Sequence, residues 1–350
     1  MGMTPLSLLN VASQIATDTY SEFGLFQPDR SRSALEAKYT NEHSAFVDAC
    51  NARVHYRDEG NPDGPTLLLL HGTYSSLHTW DGWVDELGEE FRLVRIDMPG
   101  FGLTGPARTD RQTLDALIDC IGAFCESLEL SDVTLVGNSL GGGIAWRLAT
   151  ERPECISRLI LINAGGATLL STLSSSLVSF GTNMVPRYVT PRILVRALLD
   201  DAYYDSSKVT GELVRRYHDL LLYPGNRRAV LEIAQNYKKD YFASADEESI
   251  IEQSVPTLPS SATDPKPSVW DEYDIVDVSV PTLFQWGCED EWLPCSFGRQ
   301  LAAPVEKTQF VVYDEVGHVA MEEAPVRTAV DAAAFVRGED LDRPTGDCEC

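Results

Sequence analysis

Residues 133–146 run Val-Thr-Leu-Val-Gly-Asn-Ser-Leu-Gly-Gly-Gly-Ile-Ala-Trp. An apolar strand run ends, Gly137-x-Ser139-x-Gly141 follows, and a helical pattern begins. A serine on such a turn is a candidate nucleophile. The turn strains its backbone, the flanking glycines let neighbouring chain approach, and the hydroxyl stands at the positive end of the next helix. Such a serine needs a base, and the base needs an orienting acid. A nucleophile on a strand–turn–helix is followed in the chain by its acid and then its histidine. Of six histidines, only His318 in Val316-Gly317-His318-Val319 lies beyond a late strand with an acid before it. The others read more plainly: His43 before a strand, His55 inside one, His71 heading a loop, His78 opening a helix, His218 in a helical region. The strand Thr282–Trp286 runs into Gly287-Cys288-Glu289-Asp290, where Asp290 is preferred over Glu289 as the acid. The strand Leu159–Ile162 is followed by Asn163-Ala164-Gly165-Gly166, so no acid is expected there. An oxyanion would need two backbone donors. The N–H of Leu140, directly after the serine, is one candidate. The N–H of Thr73, in the loop His71-Gly72-Thr73-Tyr74, is the other.

These residues need a scaffold that brings loop ends together. Leu67–Leu70 is an unbroken apolar run, as in a strand buried on both faces. Strand patterns at 45–49, 53–57, 91–96, 133–136 and 159–162 precede or alternate with helical ones around Trp80–Leu87, Thr113–Leu128 and Gly141–Thr150. A turn is expected at Asn61-Pro62-Asp63-Gly64. The alternation predicts a mostly parallel sheet with helices on both faces. It stops at Gly165-Gly166 and resumes with strands Thr282–Trp286 and Thr308–Tyr313 and helices Cys295–Leu301 and Pro325–Val336. Between them, residues 167–278 carry helical patterns at 186–201, 208–222 and 227–242, and a long loop is expected at 243–268. Thr4-Pro5 opens an amphipathic helical pattern to about residue 20. The expected divisions are therefore 1–43 (N-terminal helix and polar linker, the linker from 27 to 42), 44–166 (core, first part), 167–278 (helical insertion), 279–337 (core, second part) and 338–350 (acidic, disordered tail).

Composition excludes several functions. The chain of 350 residues carries 28 Lys and Arg against 53 Asp and Glu, a net charge of −25. Such a surface repels phosphate backbones and anionic lipid, so nucleic acid is excluded as the main partner. No apolar run is long enough to span a membrane, and no basic segment precedes the N-terminal apolar stretch, so a cytoplasmic protein is expected. The eight cysteines show neither a CxxC pair nor a zinc-site spacing. They are expected to be free, mostly buried thiols, and no metal or organic cofactor is expected.

Five motifs in order carry a resemblance to the α/β-hydrolase superfamily, in particular its members with a helical cap. They are His71-Gly72-Thr73; Asp97-Met98-Pro99-Gly100-Phe101-Gly102; Gly137-Asn138-Ser139-Leu140-Gly141-Gly142; Trp286-Gly287-Cys288-Glu289-Asp290; and Gly317-His318 with Glu322 and Pro325. The resemblance covers roughly residues 44–166 and 279–337 and implies an α/β-hydrolase fold with the insertion as cap. It implies Ser139 as nucleophile, Asp290 as acid and His318 as base, in agreement with the residue-level reading. Relatives that hydrolyse epoxides or haloalkanes carry Asp at the elbow, so Ser139 excludes them.

The expected activity is serine-dependent cleavage of carboxylic esters with small to medium hydrophobic groups. The insertion brings apolar residues, Leu169, Leu170, Leu173, Val178, Phe180, Met184, Val185, Tyr188 and a Tyr203-Tyr204 pair, toward the substrate. Two alternatives remain open. One is cofactor-independent carbon–carbon bond hydrolysis by the same triad. The Gly-Asn-Ser-x-Gly-Gly elbow resembles those relatives, whereas Val319 stands where they tend to carry an aromatic residue. The other is a catalytically silent binding protein on the same fold.

Overall fold

The computed structural model of the protein describes residues 27–108, 112–165, 190–244 and 278–341. The expected N-terminal helix, the apolar residues between Leu169 and Tyr188, most of the 243–268 loop and most of the acidic tail lie outside them.

Eight strands form one sheet: β1 (Ser44–Ala49), β2 (Ala52–Gly60), β3 (Thr66–Leu70), β4 (Arg92–Ile96), β5 (Val133–Asn138), β6 (Ile156–Ile162), β7 (Thr282–Gly287) and β8 (Thr308–Tyr313), in spatial order 1-2-4-3-5-6-7-8. β2 runs antiparallel to both β1 and β4, and every other pairing is parallel. The hairpin between β1 and β2 turns on Cys50 and Asn51, whose φ angles of 46° and 58° suit a two-residue connection. β3 shows why the sheet is buried on both faces. Leu68 and Leu70 join one apolar cluster and Leu67 and Leu69 the other, as alternate strand residues must.

The helices divide accordingly. On one face lie α3 (Leu114–Ser127), α4 (Leu140–Glu151) and α8 (Cys295–Ala302); on the other lie α2 (Asp81–Leu87), after a short 3₁₀ turn at Leu77–Trp80, and α10 (Pro325–Arg337). α3 begins where Thr113 Oγ1 accepts the Ala116 N–H at 3.2 Å, an N-cap. α10 ends at Gly338, whose φ of 78° gives the left-handed C-terminal stop that favours glycine. Between β6 and β7 the described residues hold α5 (Arg192–Ala202), α6 (Gly211–Leu221) and α7 (Asn226–Ser244), where helices are expected. The short α9 (Ala320–Glu323) precedes α10.

One expectation fails. The polar stretch 27–42 is not a linker, because Arg32–Tyr39 forms a helix, α1. Its apolar anchor is a single residue, Leu35, buried with Leu103, Leu220 and Tyr223. Ion pairs do the rest: Glu36 with Arg53 at 2.8 Å, and Lys38 with the buried Asp219 at 2.8 Å. With Leu35 as its one large aliphatic residue, the segment offers little helical periodicity to read.

β3 lies between β4 and β5, so the chain leaves it toward one neighbour and later returns to the other. The loops after β3 and β5 therefore diverge and leave a crevice above the strand ends, the place where open α/β sheets bind ligands.

Beside that crevice the loops are pinned by buried polar groups. Asp97, just past β4, accepts His55 Nδ1–H, Leu77 N–H and Leu103 N–H, each at 2.8 Å. Burial opposes its charge, but the His55 hydrogen bond holds its carboxyl well below the usual range. His71 donates Nδ1–H to its neighbour's carbonyl, Gly72 O, at 2.7 Å and accepts Met98 N–H on Nε2 at 3.1 Å, which fixes it as a neutral imidazole. Burial likewise lowers the affinity of His71, His78 and His218 for a proton, to about 3 for His78 and about 4 for His218. Unfolding lets each titrate near its ordinary value of about 6.5. Stability is thus level above that pH and falls below it, by roughly 1 kcal/mol per pH unit for each imidazole. Urea unfolding at pH 7.5, 6.0 and 5.0 is expected to show a steadily lower midpoint; a midpoint unchanged at pH 5.0 would refute the assignment of three neutral buried histidines.

Candidate active site

Ser139 occupies the turn between β5 and α4 with φ 52° and ψ −118°, a conformation that side-chain-bearing residues rarely adopt. The turn closes because its neighbours lack side chains. A Cβ on Gly137 would lie 2.2 Å from the Gly141 carbonyl oxygen, and one on Gly141 would lie 2.5 Å from that of Leu70. The strain is held by backbone bonds on both sides: Ser139 N–H donates to Ile162 O at 3.1 Å, and Ser139 O accepts Gly143 N–H at 3.1 Å.

His318 follows β8 on a loop fastened at three points. Its N–H donates to Ala202 O at 2.8 Å, its carbonyl accepts Asn138 Nδ2–H at 3.1 Å, and its Nδ1–H donates to Asp290 Oδ2 at 2.8 Å. Asp290 is buried in the loop after β7. Its Oδ1 accepts the N–H groups of Trp292 and Leu293, both at 2.9 Å, and its Oδ2 accepts Asn163 Nδ2–H at 2.7 Å as well as His318. Both carboxylate oxygens thus carry two donors, which fix the orientation of the carboxylate. With Nδ1 committed as donor, Nε2 of His318 is left as the acceptor. The Trp292 ring lies against the imidazole, centroids 4.8 Å apart.

Ser139 Oγ and His318 Nε2 are both buried and both without a hydrogen-bond partner among the described residues. The two residues line one small cavity of about 30 Å³ together with Thr73, Leu198, Leu199, Ala202, Tyr217, Trp292 and Val319. Such a volume holds about one water molecule. Thr73 lies on the loop after β3, where a Cβ on Gly72 would come within 3.2 Å of Ser139 Cβ. Leu140 is the first residue of α4, a position whose N–H has no intrahelical carbonyl to meet.

Glu289 stays exposed, so of the two candidate acids only Asp290 reaches His318. Asn163 bears no carboxylate and so gives no sequence signal of a site residue, yet its amide donates to Asp290. Its signal is structural, its place at the end of β6, in register beside β7. Glu323 was also missed, although its neighbour Glu322 was singled out. Glu323 accepts Gly317 N–H at 2.7 Å from the histidine loop and Asp205 N–H at 2.8 Å and Tyr204 N–H at 3.3 Å from the segment after α5. Glu322 instead accepts Thr79 Oγ1–H at 3.0 Å and Tyr217 Oη–H at 2.6 Å and pairs with Arg216. The Tyr203-Tyr204 pair divides, Tyr203 inward and Tyr204 outward. Cys288 corrects the expectation of free thiols, because it is disulfide-bonded. It is half-exposed on the loop after β7, whereas Cys120 and Cys125 are buried, free thiols. Among the described residues no cluster of His, Cys, Asp and Glu has the arrangement of a metal site, and no helix is long and apolar enough to cross a membrane.

Residues 65–325 match the family model of the alpha/beta hydrolase fold. The 2-hydroxymuconate semialdehyde hydrolase of Pseudomonas sp. (strain CF600) is 26% identical over 298 residues, 83% of this chain and 93% of that protein. Among solved structures, the meta-cleavage product hydrolase of Pseudomonas fluorescens IP01 is 25% identical with a TM-score of 0.64, over 85% of this chain and 99% of the other. A thermophilic esterase of Thermogutta terrifontis shares the fold at 20% identity and a TM-score of 0.63, over 84% of this chain and 98% of its own.

Glu323 makes a stability prediction. Glu323→Ala leaves three N–H groups without their acceptor and is expected to cost about 3 kcal/mol. Urea unfolding measures it; a loss below about 0.5 kcal/mol would mean that the carboxylate does not bind α5 to the histidine loop.

Proposed function

The chain belongs to the alpha/beta hydrolase fold family and is a hydrolase, and on that premise we propose that Ser139, His318 and Asp290 form a triad that cleaves carboxylic esters of small to medium hydrophobic substrates. The observation that carries this reading is the pair of buried, unpartnered atoms, Ser139 Oγ and His318 Nε2, on one cavity wall. What supports the reading is that these two unpartnered atoms face one cavity while the other ring nitrogen of His318 is held by the buried Asp290, the arrangement expected of a nucleophile and its base.

In this reading His318 Nε2 takes the Ser139 proton as Oγ attacks the ester carbonyl. The N–H groups of Leu140 and Thr73 meet the oxyanion, and the N-terminus of α4 adds its dipole. His318 then gives the proton to the leaving alcohol. Water, deprotonated by the same imidazole, releases the acid and restores Ser139. Asp290 keeps Nδ1 protonated and stabilises the imidazolium without taking the proton. The proposed cap is the 167–278 insertion, of which α5 supplies Leu198, Leu199 and Ala202 and α6 supplies Tyr217. Their carbon-rich surfaces suit an uncharged acyl or alcohol group.

Carbon–carbon bond hydrolysis is the second reading. Two observations favour it: the similarity to hydrolases such as that of 2-hydroxymuconate semialdehyde, and the Asn138 amide, which ties the elbow to the histidine loop. A dienoate would have to desolvate its carboxylate against Leu198 and Leu199, which ranks this reading second.

A p-nitrophenyl ester series from short to long acyl chains is expected to give turnover that peaks at short to medium chains. Ser139→Ala should lower kcat by a factor of about 10³–10⁶. Near-wild-type turnover in that variant would end the assignment of Ser139. Failure on every ester, with loss of colour from a dienol substrate, would instead select the carbon–carbon reading.

Asn163→Ala removes one of the four donors on Asp290. On the best ester it should lower kcat about 10–100-fold and leave KM nearly unchanged, since a lost buried hydrogen bond to a charged group costs roughly 1.5–3 kcal/mol. An unaltered kcat would show that Asp290 is oriented without the amide.

A further inference from the structure

A second and larger cavity, about 620 Å³, lies between α1, the 3₁₀ turn before α2, and the segment from Tyr203 to Arg216. Its charge runs against the rest of the chain. Acidic residues outnumber basic ones 53 to 28 overall, whereas Lys38, Arg57, Lys208, Arg215 and Arg216 face three carboxylates here.

Two of those carboxylates are already engaged. Glu322 pairs with Arg216 and accepts from Tyr217 and Thr79, and Asp81 holds Arg95 at 2.5 Å. Of the cations, Lys38 is paired with Asp219 and Arg216 with Glu322, and the other three are less well matched. The Arg57 side chain is 8% exposed, and its closest carboxylate, Asp81, is 3.9 Å away. It donates to Tyr39 O at 2.8 Å and Ser44 Oγ at 3.2 Å, and its Nη2 lies 3.1 Å from His78 Nε2. Lys208 Nζ donates only to a carbonyl, Glu323 O, at 3.1 Å. Arg215 is exposed and has no carboxylate partner among the described residues. A buried guanidinium whose nearest carboxylate stands 3.9 Å off is under-compensated, so an anion brought to it would be favoured.

We propose that this cavity binds a small organic polyanion bearing carboxylate or phosphate groups. Arg57 would form the floor and Lys208 and Arg215 the mouth. Guanidinium and ammonium groups together offer forked and point-charge donors, the usual recognition of such oxyanions. The volume falls in the range of small-molecule sites and exceeds the needs of a single inorganic ion. The site is separate from the Ser139 cavity, with Tyr217 and Glu322 in the wall between them, so it stands whether or not the ester reading does.

Calorimetric titration of the full chain, at fixed ionic strength, with citrate and separately with inorganic phosphate tests it. One-site saturable binding of either anion is expected, and whichever binds tighter assigns the group chemistry. Arg215→Ala and Lys208→Met, each made singly and checked by thermal melting, should weaken that binding tenfold or more. Arg228→Ala, on an exposed part of α7, should not. Absence of saturable binding by both anions would overturn the proposal, as would equal affinity in all three variants.

Discussion

A carboxylate without water has to be met on every side, and Asp290 is where that requirement organises the molecule. Its four donors come from three places: the loop it stands in, the end of β6 and the histidine loop after β8. Burying the charge without any one of them would cost more than a typical single contact contributes to stability. The ends of β6, β7 and β8 are thereby fixed relative to one another at the crevice. The Ser139 turn joins the same framework because its N–H donates to Ile162 O, and Ile162 immediately precedes Asn163. Ser139, Asp290 and His318 are thus positioned by one connected set of strand ends rather than by loops that could move independently.

The helical region between β6 and β7 is joined to this framework through backbone groups. Glu323 accepts N–H groups from both the histidine loop and the segment after α5, while His318 N–H donates to the last carbonyl of α5. Backbone attachments tolerate change in most side chains. They leave the apolar face of α5 free to vary with the group it covers, while the histidine loop stays in place.

What could be read in the sequence follows from the range of the interactions. The strand runs, the Gly137-x-Ser139-x-Gly141 turn and the order Ser139, Asp290, His318 are local patterns, and local patterns survive in a string of letters. Asn163 acts through its spacing from a residue 127 positions away. Only the pairing of β6 with β7 makes them neighbours, so its position was read for the carboxylate it lacks rather than the amide it has. Glu323 and Glu322 are adjacent acids that turn to different partners, a distinction set by the three-dimensional path of α9. α1 gives little amphipathic signal because ion pairs, one buried leucine and the half-buried Tyr39 hold it. Cys288 carries no signal of its oxidation state, since a cysteine's neighbours in sequence do not identify the thiol that reaches it.

The two cavities illustrate a division of dielectric. Around Ser139 the wall is carbon-rich, and fixed backbone dipoles act there with more force than they would in water. In the proposed reaction a free cation in that wall would favour an oxyanion, but it would also disfavour an imidazolium on His318. The structure keeps the two apart. Arg216 sits one residue from Tyr217, which lines the small cavity, yet its charge is taken up by Glu322 before it reaches that side. Burial and the nearby Glu322 raise the Tyr217 proton affinity, so Tyr217 remains a neutral phenol and donates to Glu322. The same phenol oxygen accepts from Ser75 Oγ at 3.2 Å, two residues beyond Thr73. The wall therefore passes a hydrogen bond to the loop that would hold the oxyanion and stops the net charge. The small cavity is left to neutral chemistry, and the unmatched positive charge faces the larger one.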